Sequence, residues 1–277
     1  MRLYVSCDME GTAGVCSWMQ VDPSDTHEYP TYRRYMTREV RAAIEGARAV
    51  APAEVLINDS HWSMRNLLWE ELPHDVRVIS GSPKPHSMME GAQAPFDGAF
   101  FTGYHAKIGD ANGTLAHTYS NSVLYNVSIN GVRCSEAMLN AAMLGSQGTP
   151  LLLITGDRTI VEETTAAMPW VTGVIVKDAI GYYSANSMTP ASACEAIRAG
   201  ADAAIRGMAA ARPFTFAPPV ELVIETAGVE HADFIALLPT FERVGGRAVR
   251  HVAADYPSAF RAFLVATRLA GAATATA

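Results

Sequence analysis

The chain has 277 residues, 49% hydrophobic and 18% charged, with a formal net charge of −7. That length and apolar content are enough to bury a substantial core, and they exclude a disordered chain, which combines low hydrophobicity with high net charge. The acidic balance argues against a dedicated nucleic-acid binder, whose domain carries a basic stripe. The basic residues are nearly all Arg, with Lys84, Lys107 and Lys177 the only lysines.

From Met1 the chain reaches the acidic Asp8 after a short apolar run, so no secretory signal is expected. No stretch approaches the roughly 18–20 apolar residues of a membrane span. Cys7, Cys16, Cys134 and Cys194 show neither CxxC spacing nor a dense framework. Reduced thiols and a cytoplasmic location are the expectation.

Residues 2–7 form a short apolar run with β-branched and aromatic content, hence a strand. A polar loop through Asp22, Pro23, Ser24 and Asp25 follows. Residues 34–50 have helical periodicity, with Met36, Val40, Ile44 and Ala47 at steps of three or four. Strands are expected at 54–58, 76–80 and 98–102. Residues 121–129 alternate and meet Asn130-Gly131, a strong hairpin signal, before 132–134. A helix over 136–144 ends at Gly145. Residues 151–155 make a fully apolar strand of the kind buried on both faces. A helix at 159–167, a strand at 173–177 and an Ala-rich helix at 189–211, with Pro190 in its first turn, follow.

The window 212–219 is the most proline-rich and cannot be a helix interior. Beyond it come a strand (221–225), a helix (231–238), two β segments (242–244 and 248–253) and a helix (258–270), with a tail at 271–277 expected to fray. The division is a metal-binding catalytic α/β domain over 1–212 and a small C-terminal α/β subdomain over 213–277. Alternating strands and helices predict an α/β fold with a largely parallel central sheet flanked by helices. In such sheets the ligand site lies at the carboxyl ends of the strands.

Four strand ends are legible. They read Asp8-Met9-Glu10-Gly11, Asn58-Asp59-Ser60-His61, Gly103-Tyr104-His105 and Gly156-Asp157-Arg158. Three of them present His or paired carboxylates. Residues two apart in an extended segment point the same way, so Asp8 and Glu10 aim at one point. Two carboxylates held close repel, and one takes up a proton unless a cation neutralises both. With His61 and His105 the set is mixed oxygen and nitrogen without thiolate, which suits catalytic zinc or another first-row metal. Strand alternation sends Cys7 to the opposite face, into the core.

His117, in a polar loop after the His105 strand, and Glu136, in the first turn of a helix, complete the set. Spacing alone leaves each of these histidines open to a structural role, Glu136 open to an ordinary helix-dipole carboxylate, and Asp59 open to capping or orienting its neighbours. His27, His74, His86, His231 and His251 receive no role, and the methionines are read as core filler.

The ordered motifs Ser6-Cys7-Asp8-Met9-Glu10-Gly11, Asn58-Asp59-Ser60-His61, Ser80-Gly81-Ser82-Pro83-Lys84-Pro85, Ser87-Met88-Met89-Glu90-Gly91 and Gly103-Tyr104-His105-Ala106 resemble the M55 family of zinc peptidases. The similarity covers nearly the whole chain, more loosely beyond about residue 190. It implies a D-aminopeptidase with two Zn²⁺ per subunit in a ring-shaped, self-compartmentalising homodecamer. Carried over position by position, it implies Asp8 (as the bridge), Glu10, His61, His105 and Glu136 as metal ligands and His117 as the catalytic residue. After His117 this chain departs from the type member's residue pair, which leaves substrate preference open.

The expected activity is hydrolysis of the N-terminal residue of short peptides or amino-acid amides by metal-activated water, with His117 as general acid/base. A metal, or a carboxylate such as Glu90, would hold the free α-amino group. The alternatives are a dinuclear amidase or esterase on another small substrate, and a non-catalytic metal-binding oligomer. A phosphoesterase is disfavoured, since no Gly-rich phosphate loop is present. No nucleic-acid or membrane partner is expected.

Overall fold

The computed structural model describes residues 1–273. Its first half runs β1 (Arg2–Cys7), α1 (Trp18–Val21), α2 (Tyr29–Val50), β2 (Glu54–Asp59), β3 (Arg77–Ile79) and β4 (Gly98–Tyr104). A hairpin of β5 (Leu124–Ile129) and β6 (Val132–Arg133) leads into α3 (Glu136–Ser146), β7 (Leu151–Asp157) and α4 (Arg158–Ala167). Then follow β8 (Thr172–Gly181), β9 (Ser184–Ser187) and α5 (Pro190–Gly207). The chain closes with β10 (Val220–Thr226), α6 (Val229–Ile235), β11 (Glu242–Gly245), β12 (Ala248–Ala253) and α7 (Tyr256–Gly271). Of the tail expected to fray, residue 271 still belongs to α7, and residues 274–277 lie outside the described residues.

The expected largely parallel sheet is present, in the order β3-β2-β1-β4-β7-β8-β9. Every pairing in it is parallel except β8 with β9. The central strands β4 and β7 are buried along their whole length, which explains their near-continuous apolar sequence. Side chains alternate across the sheet. Leu3, Val5 and Cys7 join one core with Ile44 of α2 and Ile197 of α5. Tyr4 joins the other, with Leu139 of α3, Leu222 of β10 and Phe260 of α7. Cys7 therefore lies in the core, on the α2 side.

The second sheet is antiparallel, in the order β11-β12-β10-β5-β6. It draws on both sides of residue 212: the β5–β6 hairpin adds two strands to the three from the C-terminal segment. Asn130 and Gly131 both take left-handed backbone, as a two-residue hairpin turn of this type requires. Helix α3 packs on β4 and β7 on one hand and on α7 on the other, and is buried from Glu136 to Gly145, so its sequence has no polar face.

Three of the local differences from expectation have a direct physical cause. Helix α2 begins at Tyr29, because Pro30 sits in its first turn, where the missing N–H costs nothing. The loop before it contains α1, closed by a capping box of Ser17 and Gln20. Strand β9 reads Ser-Ala-Asn-Ser, which lacks any apolar alternation; pairing with β8 makes it a strand.

Candidate metal centre

In chain order the strands leave β1 for β2 and β3, then return to the other side of β1 at β4. The β1/β4 junction is thus a topological switch point, where adjoining loops diverge and leave a crevice. The loops after β1, β2 and β4 bring Asp8, Glu10, His61 and His105 there. All four are nearly fully buried, as are His117 and Glu136.

Glu10 does not arrive by strand alternation. Strand β1 ends at Cys7, and Asp8–Gly11 turn, with Thr12 N–H donating to Met9 carbonyl at 3.0 Å. Asp8 N–H donates to Thr102 carbonyl and Gly11 N–H to Gly103 carbonyl, each at 2.8 Å, so the turn lies flat on the end of β4. Two glycines permit this approach. A Cβ on Gly11 would come 1.8 Å from Tyr104 carbonyl oxygen, and one on Gly103 (φ +69°) would come 2.2 Å from Asp8 carbonyl oxygen.

Asp8 sits between two histidines. Its Oδ1 is 3.3 Å from His61 Nδ1 and its Oδ2 is 3.4 Å from His105 Nε2. Glu10 Oε2 lies 3.0 Å from His61 Nδ1, and Glu136 Oε1 lies 3.5 Å from His105 Nε2. His117 Nε2 is 3.7 Å from Glu10 Oε1 and 3.8 Å from Glu136 Oε1. The His105 and His117 rings stack with centroids 4.0 Å apart. Two triads, Asp8/Glu10/His105 and His105/His117/Glu136, each offer ligand atoms within 4.8 Å of one another.

Each imidazole is tied at its far nitrogen to a main-chain carbonyl. His61 Nε2 donates to Val21 at 2.7 Å, His105 Nδ1 to Ala106 at 3.0 Å, and His117 Nδ1 to Leu115 at 2.8 Å. This assignment leaves a lone pair on all three inward nitrogens, the arrangement that prepares imidazole to bind a metal. Two inward atoms, Glu10 Oε2 and His105 Nε2, are buried without a hydrogen-bond partner. Buried polar atoms without partners are costly, and a cation between them removes that cost. The donor set of three carboxylates and two or three imidazoles fits zinc in open coordination.

Without a cation between them, the carboxylates draw protons onto the facing histidines instead. Burial and the neighbouring Glu10 charge raise the Asp8 carboxyl. Burial would also raise Glu10 and Glu136, but the facing histidines hold both below the ordinary carboxylate range. Burial opposes a charged His61 or His105, and their carboxylate neighbours more than offset it. His117 goes the other way: burial and His105 lower it, keeping the ring neutral.

The supporting residues have their own partners. Asp59 accepts from Asn66 N–H at 2.5 Å, Leu67 N–H at 2.9 Å and Asn66 Nδ2 at 2.7 Å. Asn66 Nδ2 also donates to His61 carbonyl at 2.7 Å, so Asp59 orients the loop that carries His61. Glu136 opens α3 after the N-cap Ser135, and its Oε1 accepts from Tyr119 N–H at 2.6 Å. Glu90 Oε2 accepts from the N–H of His86, so its carboxylate serves its own turn. Among the described residues, six non-glycines have left-handed backbone; Trp62, Met64, Leu115 and Tyr119 flank His61 or His117. Sequence reasoning missed Asn66 and also Trp18, whose ring meets His117 edge-on at 5.3 Å. The capping box that places Trp18 was the available signal.

A family model described as Peptidase_M55: D-aminopeptidase matches residues 1–265. The D-aminopeptidase of Bacillus subtilis (strain 168) is 35% identical over 274 residues, covering 98% of each chain. The fold matches the solved structure of the Zn-dependent D-aminopeptidase DppA from Bacillus subtilis, a self-compartmentalizing protease, with a TM-score of 0.93. That match has 34% identity and covers 98% of both chains.

Proposed function

We propose, for a chain that belongs to the M55 D-aminopeptidase family, that it is a dinuclear zinc aminopeptidase removing the N-terminal residue, by preference a D-amino acid, from short peptides or amino-acid amides. One observation carries the reading: three buried carboxylates face three imidazoles whose outer nitrogens are tied to carbonyls. Such a set is preorganised for cations and poorly suited to standing empty.

In this reading Asp8, Glu10, His61, His105 and Glu136 would hold the zinc. Held there, zinc would supply Lewis acidity, which lowers the pKa of water from about 15.7 to about 7 and polarises carbonyl groups. His117 moves the proton. Its Nδ1–H is fixed by Leu115, so Nε2 takes a proton from the attacking water and returns it to the leaving amine. The downward pull of burial and His105 keeps that nitrogen unprotonated and ready to accept. The triad of His105, His117 and Glu136 favours a second reading, with His117 as a ligand.

Zinc analysis and a panel of D- and L-aminoacyl amides and dipeptides test the proposal. Two zinc ions per chain with turnover of D-substrates are expected. Bound zinc with no amide hydrolysed would overturn it in favour of an esterase or a non-catalytic protein. The relative is described as self-compartmentalizing, and we extend that to this chain as a homo-oligomer, by the resemblance a decamer. Native mass spectrometry showing a monomer would remove that part.

A further inference from the structure

Lysine is scarce in this chain, which uses Arg for all but three of its basic residues. Lys177, on β8, is one of the largest fully buried side chains. Its ammonium donates to the carbonyls of Glu10, Thr12 (3.3 Å) and Val15 (2.6 Å). All three carbonyls belong to the single loop that follows β1.

The fit is specific to an ammonium. Its three donors diverge from one point and meet three converging carbonyls, whereas a guanidinium presents a flat, wider fork. A second anchor holds the same loop: Ala13 N–H donates to the buried Glu39 carboxylate at 2.8 Å. Asp157 and Glu39 are the carboxylates whose charge acts most strongly on Lys177. Asp157 also accepts from Ala106 N–H at 2.9 Å, beside His105.

Glu10 lies outside the strand ladder, so no β pairing fixes it. Its position depends on two anchors: Gly11 N–H on Gly103, and its own carbonyl on Lys177. We propose that Lys177 is a positioning residue that holds the Glu10 carboxylate at the metal centre by gathering the carbonyls of residues 10–15. This rests on the reading of Glu10 as a metal ligand.

A double-mutant cycle tests it. Zinc affinity is measured by chelator competition, and the melting temperature of the zinc-free protein is recorded alongside. Lys177→Met is expected to weaken zinc binding by about 10–100-fold, as loss of a group supporting a ligand does. In a Glu10→Gln background the same change is expected to add less than about twofold, because its target is gone. Lys177→Arg is expected not to restore affinity.

An equal loss in both backgrounds, or unchanged zinc affinity with only a lower melting temperature, would overturn the proposal and leave Lys177 a core residue. Should Lys177→Met not fold, Lys177→Arg keeps the charge and carries the same cycle. If Glu10→Gln alone leaves zinc affinity unchanged, the ligand reading falls and the proposal with it. A strong Glu10 effect with additive Lys177 overturns the proposal alone.

Discussion

The two sheets solve different problems. In the antiparallel sheet, β10 alternates buried and half-buried residues, and its buried Leu222 and Ile224 join an apolar core. At the carboxyl edge of the parallel sheet, the side chains of Asp8, Glu10, His61, His105 and Glu136 are as deeply buried, yet all are polar. An apolar interior stabilises without further partners. A buried polar cluster stabilises only when each group is matched, and an unmatched one is costly. The antiparallel sheet therefore reads as architecture, while the carboxyl edge of the parallel sheet reads as a site built for something absent from the polypeptide.

Substitutions separate the two regions. The largest effect is expected for Asp8→Ala, which removes the group between His61 and His105; zinc content and peptidase activity should both be lost, with the second sheet intact by hydrogen exchange. Next comes His117→Ala, for which turnover should fall about 10²–10⁴-fold while zinc content is retained. Loss of zinc in that variant would make His117 a ligand instead.

In the other region, Leu222→Ala should cost about 2–5 kcal/mol in denaturant unfolding, with zinc affinity per folded chain unchanged. A parallel loss of zinc affinity would show that the two regions are coupled. Back at the metal centre, Asn66→Ala, which removes the side-chain bonds to Asp59 and the His61 carbonyl but keeps the main-chain donors to Asp59, should weaken zinc binding by about 10–100-fold.

The last effect is one of slope. Burial raises Glu39 from 4.5 to about 7, with Ala13 N–H and Lys177 opposing. The folded state therefore holds a proton that the unfolded chain releases first. The stability this contributes is fully present below about pH 4.5 and is lost as pH rises through about 7. Across that window the slope is at most about 1.4 kcal/mol per pH unit. Glu39→Gln should flatten it, as thermal unfolding against pH would reveal; an unchanged slope would place the titration elsewhere.

The sequence by itself determined the α/β class, because strand and helix periods are local properties of the chain. It also singled out the six residues that the structure brings together, because their motifs fall at strand ends and resemble a known family. What it left open depends on packing between distant segments. Strand β9 exists through its pairing with β8. The β5–β6 hairpin joins β10 across some ninety residues, as Val223 paired with Ser128 shows.

Glu10 illustrates the limit most closely. Spacing aimed it correctly, but by strand alternation; the fold delivers it on a turn held by Gly103 and Lys177. Neither partner is near Glu10 in sequence, and neither announces its role by residue type. The −7 net charge is the last case. As composition it only argued against nucleic acid. The tertiary structure alone decided that Asp8, Glu10 and Glu136 lie together out of water, and burial is what turns ordinary carboxylates into a demand for cations.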